Sequence, residues 1–183
     1  MPGAVFLADE SGDLTLRTIE ESDVPQLTEW ANDPELRRAT GEQATPSSES
    51  FERSYWLGRG DDPDCASLLV CSGDEAVGLV ELDGIDGTNG VAELGVLLDR
   101  EVRGSGLADR GMSLLLTHAF EELRLHRITG EVYADNDRSR RLLERLGFTH
   151  EGTRREDAFS GGSYRDTAVY GLLATEWSTD GPD

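Results

Sequence analysis

The sequence predicts a single mixed α+β domain, and three observations carry that prediction. Short runs rich in strand-forming residues, over 67–71, 76–82 and 91–98, are separated by turn signals and read as an antiparallel meander. The segment 107–125 repeats Met112, Leu115, Leu116, Ala119, Phe120 and Leu123 at helical spacing. Between 91 and 133 the order is strand, loop, helix, strand, which excludes an all-helical or all-strand chain. Counted along the chain, this gives a mostly antiparallel central sheet of about seven strands flanked by about four helices.

Each element has its own local reason. Residues 1–13 and 178–183 are polar, acidic and glycine-containing and are expected to be tails, leaving one domain over 14–177. Leu14-Thr15-Leu16-Arg17 alternates as a first strand. Ser22 or Asp23 can cap a helix with Leu27, Trp30 and Ala31 on one face, and Asn32-Asp33-Pro34 ends it. A second helix runs through Phe51, Tyr55, Trp56 and Leu57, and 58–64 is a loop. The first meander run turns at Gly73-Asp74, and a loop-like stretch over 83–90 precedes the third. After the long helix, 128–133 is a strand and 138–146 a short helix closed by Gly147. A hairpin of 148–154 and 164–173, turning around Ser160-Gly161-Gly162, ends the fold.

Composition limits the function. The 183 residues contain 17 Lys+Arg against 37 Asp+Glu, a net charge of −20, and every cation is arginine. Nucleic-acid and anionic-membrane binding both need a positive footprint, so neither is expected. A charge this large repels itself in the folded state, and roughly 1 M salt shrinks the Debye length to about 3 Å. The balance therefore points to a salt-rich, halophilic cytoplasm; an acidic protein whose genome favours arginine over lysine is the alternative. Cys65 and Cys71 read as free thiols of a reducing compartment, and no apolar run approaches a membrane span. The expected location is cytoplasmic, and a homodimer is the default for a small enzyme.

The chemistry is expected at Arg103-Gly104-Ser105-Gly106-Leu107-Ala108, between the 91–98 strand and the long helix. Small residues let backbone amides approach a ligand, and amides opening a helix attract an anion. Arg100, Arg103 and Arg110 add positive charge. A Walker loop would need Gly-Lys-Ser/Thr, and a dinucleotide fingerprint would need Gly or Ala where Asp109 stands. What remains is Arg-x-x-Gly-x-Ala, or a tight helix-entry turn with no ligand.

The surroundings of the loop resemble the GNAT superfamily of acyl-CoA N-acyltransferases, in its RimJ/RimL-like branch. Leu16-Arg17 with Asp23, and Trp30-x-Asn32-Asp33-Pro34, resemble that branch's opening. Glu93-Leu94-Gly95 before the loop is similar to its cofactor strand. Leu125-His126-Arg127-Ile128, Asn136-x-x-Ser139, Leu146-Gly147-Phe148 and Glu151-Gly152 resemble its second half, with Asp166 before the last strand. The resemblance covers about 14–177 and implies a GNAT-like fold with acetyl-CoA as cosubstrate and no metal. It implies that the backbone of Val96, Leu97 and Leu98 binds pantetheine. It also implies that the amides of Gly104 to Asp109 bind pyrophosphate, and that Asn136 contacts the cofactor.

The same resemblance implies direct attack of a neutral amine on the thioester, which needs a base and a proton donor for the thiolate. The usual tyrosine, seven residues after the asparagine, is Leu143 here; Ser139 is the candidate donor or a local cap. Glu131 and Glu93 are the candidate bases, each otherwise a solvated or ion-paired strand residue. His118, His126 and His150 lack metal-ligand spacing, and Trp30, Tyr55 and Trp56 read as core. The expected activity is acetyl-CoA-dependent acetylation of a primary amine, a protein N-terminus in the first place. A small polyamine or amino sugar is the alternative acceptor, and a non-catalytic acyl-CoA-binding module the alternative from another class.

Overall fold

The computed structural model describes residues 2–40, 45–102 and 104–178. Its eight strands are β1 (Val5–Ala8), β2 (Leu14–Arg17), β3 (Ala66–Ser72), β4 (Glu75–Asp86), β5 (Val91–Leu98), β6 (Arg127–Tyr133), β7 (Thr149–Ser160) and β8 (Ser163–Leu173). They form one sheet in the order β1-β2-β3-β4-β5-β6-β8-β7, antiparallel throughout except for the β5–β6 pair. The α-helices are α1 (Val24–Asn32), α2 (Pro34–Thr40), α3 (Glu49–Arg59), α4 (Leu107–Glu121) and α5 (Asp137–Arg145). No helix among the described residues is long and apolar enough to cross a membrane.

The differences from the sequence reading have local causes. Residues 5–8, expected within a loose tail, add a strand to the sheet edge by pairing with β2. Their order comes from partners distant in sequence: Phe6 lies edge-on against His118 at 4.9 Å between ring centroids. Pro34 ends α1 as expected, but it also opens α2, because Asp33 Oδ1 accepts the N–H groups of Glu35 and Leu36. The 83–90 stretch is shorter as a loop than expected, since β4 continues to Asp86 through an irregular register against β5. In β7 the register shifts between Arg154 and Ala158, where Glu156 takes φ 52° and donates its N–H to Asp166.

Two apolar layers cover the sheet. Alternating residues of β2 to β6, among them Leu16, Val70, Val80, Leu94 and Ile128, pack with Met112, Leu115 and Leu116 of α4. Gly111 allows that close approach, for a Cβ there would already touch Val70 at 3.4 Å. On the opposite face Leu69, Cys71 and Leu79 pack with Leu27 and Trp30 of α1 and with Trp56 of α3. Arg17 and Asp23 tie the end of β2 to the start of α1 through two hydrogen bonds of 2.7 and 2.8 Å.

One topological feature creates the site. β5 and β6 pair only at Val91–Arg127, Ala92–Ile128 and Glu93–Thr129. Beyond that point β5 stays with β4 as far as Leu98, while β6 stays with β8 as far as Tyr133. The two strands therefore splay apart and leave their facing backbone edges without a strand between them.

Candidate active site

The splay opens into a cleft of about 1530 Å³ that runs between the sheet, α1 to α3, the start of α4 and α5. Val96, Leu97 and Leu98 form one wall, on the backbone edge that lost its strand partner. At the mouth stand Gly104, Gly106, Ala108 and Asp109. Gly104 and Gly106 take φ of 83° and 82°, and Gly106 is the left-handed N-cap of α4. A side chain at either would be strained, so glycine is what turns the chain into the helix here. Ser105 is exposed and bonds Val102 O, whereas Leu107 is buried in the core; both contribute backbone only. Arg103 lies outside the described residues. With the amides opening α4 aimed at its mouth, the cleft suits an anionic group at one end and an extended arm along β5.

Arginines of two further elements stand around this mouth. Arg100 pairs with Glu35 and Asp33, and Arg110 pairs with Asp9. The Asp9 carboxyl is held down at about 2 by that hydrogen bond. α5 adds Arg138, Arg141 and Arg145, all of which line the cleft. Arg145 also grips Asp109 at 2.8 and 3.1 Å, which offsets the one carboxylate in the first turn of α4. On an amphipathic helix these arginines look like an ordinary solvated face, so only the packing of α5 beside α4 reveals them.

Asn136 and Ser139 lie together at the start of α5 and both line the cleft. Asn136 is the helix N-cap, its Oδ1 accepting the Ser139 N–H at 3.2 Å. Leu143 is buried and fills the space over Gly130, where a Cβ would meet its side chain at 3.2 Å. The cleft gains Tyr133 instead, a residue the sequence reading passed over. Its ring is 6% exposed, with the Arg165 guanidinium 3.6 Å above it.

Three glutamates line the sheet wall of the cleft: Glu81 from β4, Glu93 from β5 and Glu131 from β6. Strand register puts them on one face, since Glu81 lies opposite Gly95 and Glu93 opposite Thr129. Glu131 is ion-paired with Arg154, which also holds Asp157. Glu81, another residue missed from sequence, is bonded to Ser67 at 3.2 Å and to Arg59 at 3.3 Å. Burial raises its pKa against the pull of Arg59. Gly95 makes room for it, because a Cβ there would stand 2.8 Å from Glu81 Cγ. Glu93 has no ion pair among the described residues. Glu93 is an exposed residue whose carboxyl is partly desolvated. Desolvation, then the charges of Glu131 and Asp83, raise its pKa.

The family model for the acetyltransferase (GNAT) domain matches residues 13–149. The chain belongs to the GNAT acetyltransferases. This GNAT chain is 28% identical over 179 residues to the "Putative ribosomal N-acetyltransferase YdaF" of Bacillus subtilis, covering 94% of this chain and 98% of the relative. It is 27% identical over 151 residues to the spermidine N(1)-acetyltransferase of Escherichia coli, covering 82% of this chain and 81% of the relative. The crystal structure of spermidine N-acetyltransferase from Vibrio cholerae with CoA and spermine superposes with a TM-score of 0.85. That alignment has 26% identity and covers 90% of this chain and 97% of the other. The GNAT protein is therefore an acyltransferase that uses acetyl-CoA to acetylate an amine. Its splayed strands and helix-opening loop are the geometry that a long thioester with a diphosphate requires.

Proposed function

We propose that the acceptor is a small polycationic amine and that Glu93 takes the proton from its reacting nitrogen. The observation that carries this reading is the carboxylate wall of the cleft, where Glu81, Glu93 and Glu131 share one face beside the splay. Such a wall attracts ammonium groups and stabilises the charge that the amine carries on arrival. The kinship with spermidine acetyltransferases supports it.

On this reading the amides of residues 104–109 and the arginines of α5 hold the diphosphate, and the free edge of Val96 to Leu98 aligns the pantetheine arm. That places the thioester near the apex of the splay, next to Glu93. Glu93, unpaired and raised in pKa, accepts the ammonium proton, directly or through one water. The freed nitrogen attacks the thioester carbonyl, and the C–S bond breaks as the amide forms. The proton the nitrogen then loses passes by way of the Ser139 hydroxyl at the start of α5 to the sulfur, so that CoA leaves as the thiol. Glu131, held by Arg154, contributes charge rather than proton transfer. A protein N-terminal α-amine is the second reading; the relative named for ribosomal acetylation and the breadth of the cleft favour it.

A thiol-release assay with acetyl-CoA separates the two. Spermidine and its homologues should be turned over with a higher kcat/KM than peptide N-termini. Turnover of peptides alone would overturn the polycation reading.

A further inference from the structure

Glu52 is a buried carboxylate that the acetyl-transfer chemistry does not use. It belongs to α3 and is only 4% exposed, yet it lines the cleft together with Trp30, Leu36, Tyr55, Trp56 and Leu97. Its hydrogen-bond partner is the indole of Trp56, one turn along the helix, whose Nε1 donates to Oε2 at 2.7 Å. No arginine or histidine among the described residues makes an ion pair with it, whereas Glu81 has Arg59 and Glu131 has Arg154. A carboxylate removed from water without a cation is costly, so such groups are normally paired. One neutral donor leaves its other oxygen free to receive a charge.

The surroundings say what kind of charge fits. Trp56 meets Tyr55 edge-on at 4.9 Å, and Phe51, 49% exposed, stacks along the same helix face at 6.2 Å from Tyr55. Rings beside a carboxylate suit a cation carried on an aliphatic chain, which gains contact with the rings and charge pairing at its end. The spacing along α3 is also informative. Arg59, seven residues beyond Glu52, reaches Glu81 on the sheet wall. Glu52 therefore stands roughly 10 Å of helix axis before Arg59, the residue that reaches the sheet carboxylates.

We propose that Glu52, braced by Trp56, binds the non-reacting ammonium of a polyamine while the other end of the chain is acetylated. The inference rests on the polycation reading of the acceptor and adds a specificity-determining site to it. An acceptor that spans both places must be longer than ethylenediamine; spermidine has that length, and a monoamine cannot use the site at all.

The test compares kcat/KM for spermidine and for the monoamine n-butylamine in the wild type, E52Q and E52D, all saturated with acetyl-CoA. Gln can still accept the Trp56 N–H, so E52Q keeps the local packing while removing the charge. E52Q should lower kcat/KM for spermidine about 30- to 1000-fold, mainly through KM. Its effect on n-butylamine should stay within about twofold, because that amine has no second ammonium for residue 52 to meet and the Trp56 hydrogen bond is kept. E52D keeps the charge one methylene short and should retain part of the spermidine preference. Equal losses on both amines, or E52D below E52Q on spermidine, would mean a structural role and overturn the inference. Unchanged spermidine kinetics in E52Q would overturn it too, while leaving the polycation reading standing. A wild type that acetylates monoamines or peptides but no polyamine removes that reading, and Glu52's role with it.

Discussion

Replacing Glu93 by Gln tests the base through the acidity of its substrate. An alkylammonium with pKa near 10.4 must give up about 4 to 5 kcal/mol to be neutral at pH 7, whereas an α-amine near 8 gives up about 1 kcal/mol. The base therefore has about 3 kcal/mol more to supply for a polyamine than for a peptide N-terminus, close to a factor of 10² in rate. E93Q should lose roughly 10²- to 10⁴-fold in kcat/KM on spermidine at pH 7, and about 10²-fold less on a peptide α-amine. Raising the pH supplies the neutral amine from solution, so the defect on spermidine should shrink about tenfold per unit up to the amine's own pKa. The assay is thiol release under saturating acetyl-CoA, followed from pH 6 to about 10 with spermidine and a Ser-initiated peptide. A defect that stays constant with pH, or is equal for the two amines, would refute Glu93 as the base.

Further predictions follow from the same geometry. In the wild type, the acid limb of kcat/KM should lie above the usual glutamate range, because desolvation and the charges of Glu131 and Asp83 raise the Glu93 pKa; E93Q should lose that limb, as rate-against-pH profiles will show. Glu81→Gln should raise KM for spermidine while leaving kcat within about threefold, since Glu81 attracts the cation without exchanging its proton. Its folded pKa is raised, so its contribution to stability declines as pH rises from the unfolded to the folded value, and E81Q should flatten that part of the Tm profile. Asp23→Asn should cost about 3 kcal/mol near neutral pH by leaving Arg17 buried without its carboxylate, lowering Tm by about 6 to 12 °C. The folded pKa of Asp23 is lowered, burial being outweighed by the Arg17 and Glu20 hydrogen bonds. The pair's stabilisation is therefore complete above the unfolded pKa and lost as pH falls through the folded one, so the gap between wild type and D23N should close in acid. With a net charge of −20, Tm should rise as KCl goes from about 0.01 to about 1 M, where the Debye length contracts from about 30 to about 3 Å. A flat or falling Tm would exclude adaptation to a salt-rich interior.

What the sequence made legible was local. The β5 strand was placed at its observed bounds by its flanking turns, and the start of α4 by its apolar period and the glycines before it, although the helix ends at Glu121 rather than at 125. Gly104 and Gly106 could be read because a left-handed turn into a helix selects glycine at those positions. Several of the motif residues have structural partners. Trp30 anchors α1 to Asp99 at the end of β5, and Asn32 fastens Ser47 by two hydrogen bonds of 2.9 Å. Arg127 pairs with Glu151 across Gly171, where a Cβ would stand 2.5 Å from Glu151 Oε1.

What stayed hidden depended on pairings far apart in the chain. Arg110 reads in the sequence as added positive charge, and its pairing with Asp9, 101 residues away, appears only in the fold. Residues 5–8 seemed a tail because a run of four residues, apolar though it is, carries no period long enough to detect. Glu52 and Glu81 are one acidic residue among many in a sequence with 37 of them, and only burial distinguishes them.

The central claim is that one cleft joins a diphosphate site on α4 to a carboxylate-lined acceptor site across the β5–β6 splay. The crystal structure of a complex with a bisubstrate conjugate, CoA joined through an acetyl bridge to spermidine, tests it most directly. The diphosphate should lie on the amides of residues 104–109, the pantetheine along Val96 to Leu98, and the bridged nitrogen should face Glu93. A conjugate whose polyamine leaves the cleft away from Glu93, or whose diphosphate lies off the start of α4, would contradict it.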